Sequence, residues 1–201
     1  MRSPISPQPA VGYLDLVRRN REYRLLWMGQ IVSLLGDWFN LIASASLIAT
    51  LTQSGLAISG LFVVRMIAPF LVGPFAGVIA DRYNRKSILI WSDIVRGVTV
   101  LGFLFINRPE QVWLLYVLTA IQLGLSGFFF PTKNAILPDI VSDHELGTAN
   151  ALSSTTWSVM LALGAALGGL VAGLWGNQVA FIIDALTFLV FEAFATHAVH
   201  G

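Results

Sequence analysis

The sequence contains no cysteine and few charged residues. The missing cysteine excludes disulfides, thiolate metal sites and thiol nucleophiles. Only 11% of the 201 residues are charged, whereas a soluble globular domain carries about 25%. The chain is also 56% hydrophobic, with a mean hydropathy of +0.74. A surface so poor in charge would aggregate in water, so the composition predicts a membrane protein whose solvent is the lipid bilayer.

The small net charge of +1 excludes a strongly basic nucleic-acid binder, and we expect no nucleic-acid partner. A basic cluster directly precedes a long apolar run; it comprises Arg18, Arg19, Arg21 and Arg24. This position favours positive charge that sets the orientation in the membrane over an RNA- or DNA-binding arm. That apolar run is longer than the core of a signal peptide and lacks a cleavage site, so we expect no cleaved leader.

Six apolar runs are long enough for membrane-spanning helices, which need about 20 residues each. They lie near 24–51, 56–80, 87–106, 112–130, 149–174 and 179–196. Buried helices of a soluble protein are the alternative, but such runs are shorter and seldom come six in succession. The pattern predicts an all-α membrane protein, with a cytoplasmic segment at 1–23, a six-helix bundle at 24–196 and a cytoplasmic end at 197–201 that we expect to be a truncation point.

The distribution of lysine and arginine predicts the orientation, because positive residues remain in the cytoplasm. Outside the spans, only Arg108 falls on one side of the membrane. The other side holds Arg2, Arg18, Arg19, Arg21, Arg24, Arg82, Arg85, Lys86 and Lys133. We therefore expect a multi-pass protein of the cell (inner or plasma) membrane with both termini in the cytoplasm.

A weak internal repeat relates the first three runs to the last three, although chance in a chain rich in glycine and alanine is the alternative. The matched residues are about ninety positions apart, Gly73 with Gly164, Gly77 with Gly168 and Asp93 with Asp184. Such spacing predicts two three-helix units, as secondary transporters often have. Small residues four apart also predict close helix packing, either as a static contact or as a contact along which helices slide. The residues concerned are Gly73, Gly164, Gly168, Gly169 and Gly173.

The most specific motif is Gly77-Val-Ile-Ala-Asp81-Arg82-Tyr-Asn-Arg85-Lys86, after the second run. It resembles the signature loop of the major facilitator superfamily, Gly-x-x-x-Asp-Arg-x-x-Arg-Lys/Arg. An ordinary positive-inside loop would explain the basic residues but not the Gly-to-Asp spacing. The resemblance implies half of a twelve-helix fold, a missing C-terminal six-helix half as partner, and a loop that latches the two halves when the transporter faces outward.

A second resemblance involves Phe130-Pro-Thr-Lys-Asn-Ala-Ile-Leu-Pro138-Asp139 and Glu145-Leu-Gly-Thr-Ala-Asn150-Ala-Leu. It is similar to the branch that contains the enterobactin exporter and macrolide-efflux proteins. The resemblance implies an efflux permease for small amphiphilic compounds or siderophores, driven by the proton motive force. Gln122 departs from the pattern, since many proton-coupled drug antiporters have an arginine in helix four, and this puts the usual proton relay in doubt.

Ionisable residues inside the spans mark a candidate coupling or substrate pathway, because each costs about 2.5–3.5 kcal/mol at the bilayer centre. Asp93 and Arg96 are three residues apart and share a helix face, which favours a local ion pair. Asp37 either faces the pathway or pairs with Arg65. Gln122 completes the candidate set, and Asp184 and Glu192 also fall in the last run.

A membrane-embedded enzyme would need clustered ligands or a nucleophile–base pair at membrane depth. The histidines, His144, His197 and His200, all fall outside the predicted spans. We therefore predict a protein that is not an enzyme and has no catalytic residues, metal or cofactor. A non-transporting membrane assembly partner remains the other alternative to a transporter.

Overall fold

A computed structural model describes the backbone of residues 12–82 and 85–198. It describes their side chains except those at 76–82, 85–86, 89, 128–133, 135 and 192–198. Within these ranges the chain forms helices joined by short turns. The α-helices are α1 (Tyr13–Arg19), α2 (Arg21–Thr52), α3 (Gly55–Arg82), α4 (Arg85–Gly102), α5 (Val112–Ile140), α6 (Leu146–Trp175) and α7 (Asn177–Ala198). Two 3-10 turns, Phe103–Phe105 and Pro109–Gln111, connect α4 to α5.

Helices α2 to α7 correspond to the six predicted apolar runs, but α5 continues ten residues beyond its predicted end, through Pro131 to Ile140. The prediction ended the run at Phe130 and placed Lys133 in a charged connection between spans. Packing overrides that signal, since Leu137 is buried against Tyr23 and Ala149. The short helix α1 was not predicted.

Among the residues that the structure describes fully, three apolar stretches are long enough to cross a membrane, namely Arg21–Thr52, Gly55–Phe75 and Leu146–Trp175. The apolar stretch Asn177–Phe191 is shorter. The structure therefore agrees with an all-helical membrane protein, while the count of six spans stays a prediction.

Local side-chain chemistry explains several helix ends. Asn20 caps α2 by accepting a hydrogen bond from the backbone N–H of Tyr23 at 2.9 Å. Gly176 separates α6 from α7 with a φ of 88°, a conformation that glycine adopts without strain. Ahead of α6, the Ser142 Oγ and backbone N–H donate to Glu145 Oε2 at 2.6 and 3.1 Å. These bonds hold the pKa of the Glu145 carboxyl below its usual range.

The packing of the helices follows a two-fold pattern. Helix α2 packs on α6 and α7, and α5 packs in the corresponding way on α3 and α4. Helices α5, α6 and α7 begin at residues 112, 146 and 177, which is 91, 91 and 92 positions after α2, α3 and α4 begin. This spacing and this packing are what the predicted two three-helix units would produce.

The bundle buries α2 more than its neighbours. Half of the apolar stretch of α2 is buried, compared with 11% of the stretches in α3 and α6. The indole of Trp27 donates to Thr156 Oγ1 at 2.8 Å, and Tyr23 donates to the Ala149 carbonyl at 3.0 Å, so polar contacts join α2 to α6. Large apolar side chains on α3 remain exposed, including Met66 and Phe70.

Candidate coupling and substrate site

Arg96 stands at the centre of a buried ion cluster between α2, α4 and α7. Its Nη2 lies 3.0 Å from Asp37 Oδ1 on α2, and its Nη1 lies 3.3 Å from Asp93 Oδ1 on α4. The side chains of Arg96 and Asp93 are each 2% exposed, whereas that of Asp37 is 21% exposed. The structure thus pairs Asp93 with Arg96, as the spacing favoured. The direct partner of Asp37 is Arg96 rather than Arg65.

Helix α7 closes this cluster with an aromatic ring. The guanidinium carbon of Arg96 lies 4.4 Å from the centroid of the Phe188 ring, a cation–π distance. Arginine is suited to this position because its planar guanidinium can bond two carboxylates in its plane and stack an aromatic ring on its face.

Asp184 is a third carboxyl of the cluster, and its side chain is completely buried. The Gln122 amide donates to Asp184 Oδ2 at 3.4 Å, and Asn40 also faces the carboxyl. On α2, Gly36 leaves the space that Asp184 and Thr187 occupy, because a Cβ at Gly36 would overlap both side chains. Asp184 was not among the predicted pathway residues. The repeat that matches it with the buried Asp93 is the sequence signal that points to it.

A cavity of about 220 Å³ opens beside the cluster. Asp37 and Arg65 contribute opposite charges to its wall, and the rings of Trp38 and Trp157 meet edge to face with centroids 6.4 Å apart. The remaining lining residues are Leu34, Pro69, Leu123, Ser126 and Gly127, so α2, α3, α5 and α6 all contribute. The cavity wall therefore combines fixed charges of both signs with indole rings.

The predicted packing glycines divide into two groups. A Cβ at Gly164 would lie 2.8 Å from Trp38 Cβ, and one at Gly168 would lie 3.2 Å from Phe39 Cα, so α6 approaches α2 closely at both positions. In contrast, nothing in the described part of the chain lies within 4 Å of a Cβ placed at Gly73, Gly169 or Gly173. Close packing at these three glycines therefore stays a prediction, because no described residue packs on them.

The residues of the predicted latch loop lie in the last turns of α3 and the first turn of α4. The backbone of α3 ends at Arg82 and that of α4 begins at Arg85. The side chains in question lie outside the described residues, so their role stays a prediction; they are Gly77, Asp81, Arg82, Arg85 and Lys86.

Comparison with known proteins assigns the family. The profile of the Major Facilitator Superfamily matches residues 26–198, most of the chain. The chain belongs to the major facilitator superfamily. The resemblance inferred from the signature loop is thereby confirmed, and membership makes this chain part of a membrane transporter family rather than of an enzyme family.

Three relatives within the superfamily show the range of similarity. The chain is 31% identical over 176 residues to YfiS of Bacillus subtilis, named only as an uncharacterised transporter of the superfamily. It is 31% identical over 174 residues to BacE of the same organism, whose name describes a bacilysin exporter. It is 25% identical over 167 residues to macrolide efflux protein A of Streptococcus pyogenes.

These matches cover most of this chain but less than half of each relative. They span 87% of the chain in the first two cases and 82% in the third. The corresponding shares of the relatives are 42%, 43% and 41%. The chain thus spans less than half the length of these relatives.

Proposed function

We propose that this chain is the N-terminal six-helix half of a secondary active exporter, an efflux permease for small amphiphilic compounds or siderophores driven by the proton motive force. Two of the relatives carry names that describe export or efflux, and the chain spans about 43% of such a relative. Both findings support the proposal. The missing C-terminal half is the expected partner, and the cell membrane, with both termini in the cytoplasm, is the expected location.

The position of Asp37 carries this proposal. Its carboxylate bonds the buried Arg96 and also contributes to the wall of the cavity. An ionisable group within a membrane span usually serves a substrate or ion pathway. A carboxylate with one side towards a cavity and the other towards a buried cation can exchange that partner for a substrate or a proton.

The exposed faces of α3 and α6 support a second six-helix half. These helices contribute to the cavity, yet most of their apolar residues remain unburied within the described bundle. Gly73 on α3 and Gly169 and Gly173 on α6 add small residues to the same helices. Packing of the second half there would enclose the cavity from the other side, and small residues permit a close approach of helices.

The loop between α3 and α4 has a separate role in this proposal. Asp81 and Arg82 end α3, and Arg85 and Lys86 begin α4. An acid and several basic residues at a helix junction can form ion pairs that hold one conformation. We assign this loop the latch role that the family resemblance implies, with Gly77 allowing the helices to approach one another closely.

Transport measurements in vesicles test the proposal. The full-length protein that contains this chain is reconstituted and offered amphiphilic cations, macrolides and siderophores, with and without a pH gradient. We expect gradient-dependent accumulation of at least one class, and none by the 201-residue chain alone, because six helices supply one side of a cavity. Accumulation by the monomeric chain would contradict the half-transporter proposal, and the absence of transport by the full-length protein would favour a membrane assembly partner.

A further inference from the structure

We propose that the Arg65 guanidinium binds a carboxylate of the exported compound, and that an aromatic ring next to this carboxylate packs on Trp157. The cavity then takes an aromatic organic acid in preference to an organic cation. This inference rests on the proposed transport function and names the substrate class of the same cavity.

Arg65 places a positive charge inside the apolar part of the bundle. It lies within the apolar stretch Gly55–Phe75 of α3, and its partly exposed side chain contributes to the cavity wall. An ionisable group at membrane depth is costly, and it usually faces a water-filled cavity or a partner. The cavity is therefore the side from which a partner can reach Arg65.

The bundle leaves the hydrogen-bond donors of Arg65 available. Within the described part of the chain, no hydrogen bond or ion pair involves Arg65, and Arg96 is the arginine that bonds Asp37 and Asp93. Asp37 and Asp184 act on Arg65 through longer-range electrostatic attraction. A guanidinium has five N–H donors and no acceptor, so a ligand in the cavity can accept bonds from Arg65.

A carboxylate is the ligand group that suits these donors. Its two oxygens accept two parallel bonds from one guanidinium, and such charge-assisted bonds are about twice as strong as neutral ones. An ammonium group would instead meet the like charge of Arg65. Asp37, the carboxylate on the same wall, is already bonded to Arg96 at 3.0 Å. The wall therefore favours an anion over a cation.

Trp157 supplies a surface for the ring next to the carboxylate. This residue is 48% exposed, and its indole lies in the cavity wall, edge to face with Trp38. Gly164, also on α6, allows Trp38 to approach that helix closely, because a Cβ there would lie 2.8 Å from Trp38 Cβ. Contacts between aromatic rings stabilise a complex beyond the area that they bury, so an aromatic acid gains from both Arg65 and Trp157.

The volume of the cavity limits how much of a ligand this chain holds. Pockets for drug-sized ligands have about 300–1,000 Å³, whereas this cavity has about 220 Å³. We therefore expect this chain to bind the acid and its ring. The rest of a larger compound would extend towards the second six-helix half.

Three probes that share one ring separate the effect of charge from that of the ring. Indole-3-acetate carries a carboxylate, indole-3-acetamide a neutral amide and tryptamine an ammonium group. Equilibrium dialysis against the purified full-length protein in detergent micelles measures the dissociation constant of each. We expect the wild type to bind indole-3-acetate about 10- to 100-fold more tightly than the other two, as hydrogen bonds between charged groups imply.

Substitution of Arg65 tests whether this residue causes the preference. In Arg65→Gln the affinity for indole-3-acetate should fall to that for the amide, whose own affinity should not change. Arg65→Lys keeps a cation in the span, and serves as the second variant should Arg65→Gln fail to fold. It should lose part of the preference, because lysine lacks the planar fork that bonds both carboxylate oxygens. Arg108→Gln, the same change at an exposed position, is the matched control and should bind all three probes as the wild type does.

Several results would overturn the inference. They are a wild type that does not bind indole-3-acetate, equal affinity for the acid and the amide, or tighter binding of tryptamine. A preference for the acid that is undiminished in Arg65→Gln or in Arg65→Lys would also do so. An equal loss of acid and amide in Arg65→Gln would show that Arg65 shapes the cavity without binding the carboxylate. Because transport is not measured, a protein that binds the acid but transports nothing would keep this site and lose the proposed function.

Discussion

Replacement of Arg96 by methionine tests the energetics of the buried ion cluster. The substitution keeps much of the side-chain volume but removes the cation that bonds Asp37 at 3.0 Å and Asp93 at 3.3 Å. Breaking a buried pair by removing one partner costs about 3–5 kcal/mol. We expect the free energy of unfolding to fall by about that amount, with lost stacking on Phe188 adding about 0.5–2 kcal/mol.

A double-mutant cycle with Asp37→Asn separates the ion pair from the loss of packing. Asparagine removes the negative charge that Arg96→Met leaves without its partner, so the double variant should be more stable than the sum of the single effects by about 0.5–3 kcal/mol. Reversible unfolding in mixed detergent micelles, followed by tryptophan fluorescence, measures each value. Effects that add within about 0.5 kcal/mol would show that Arg96 and Asp37 are not energetically coupled.

The remaining predictions concern packing, topology and the loop. Gly164→Ala should destabilise the bundle by about 1–3 kcal/mol in the same unfolding assay, because the new Cβ meets Trp38; Gly169→Ala, which meets nothing described, is the matched control, and equal effects would contradict the packing. Reporter fusions should alternate outside, inside, outside, inside, outside when placed after Gln53, Lys86, Glu110, Asp143 and Asn177, and an external signal after Lys86 would contradict the orientation. In the full-length protein Asp81→Asn should shift the inward–outward equilibrium about 5- to 150-fold, measured by cysteine accessibility from each side; unchanged accessibility would leave the loop only its topogenic role.

Hydropathy predicted the order of the six long helices because each apolar run is long and the intervening turns are polar. It ended α5 too early, since Lys133 is typical of a loop locally, whereas the burial of Leu137 depends on distant residues. The short helix α1 was missed for the same reason. Its apolar residue Leu16 is buried only by contact with other helices.

The site was predictable where it is local in sequence. The three-residue spacing of Asp93 and Arg96 indicated their pairing, whereas Asp37 is 59 positions from Arg96 and its partner depends on how α2 packs against α4. The packing role of the glycines was equally hard to predict. Composition does not distinguish Gly168 from its neighbour Gly169, but only Gly168 of the two faces α2. Three-dimensional packing supplies the information that one sequence lacks.

In the proposed transporter Asp37 couples the cavity to proton movement, and the Asp37→Asn variant of the full-length protein tests this coupling most directly. Asparagine resembles the protonated acid in shape, so we expect normal insertion and retained downhill exchange of an exported compound. Transport driven by a pH gradient should be lost in reconstituted vesicles, while the control Asp143→Asn should transport as the wild type does. A well-expressed Asp37→Asn protein with the wild-type dependence of transport on pH would exclude a coupling role for Asp37.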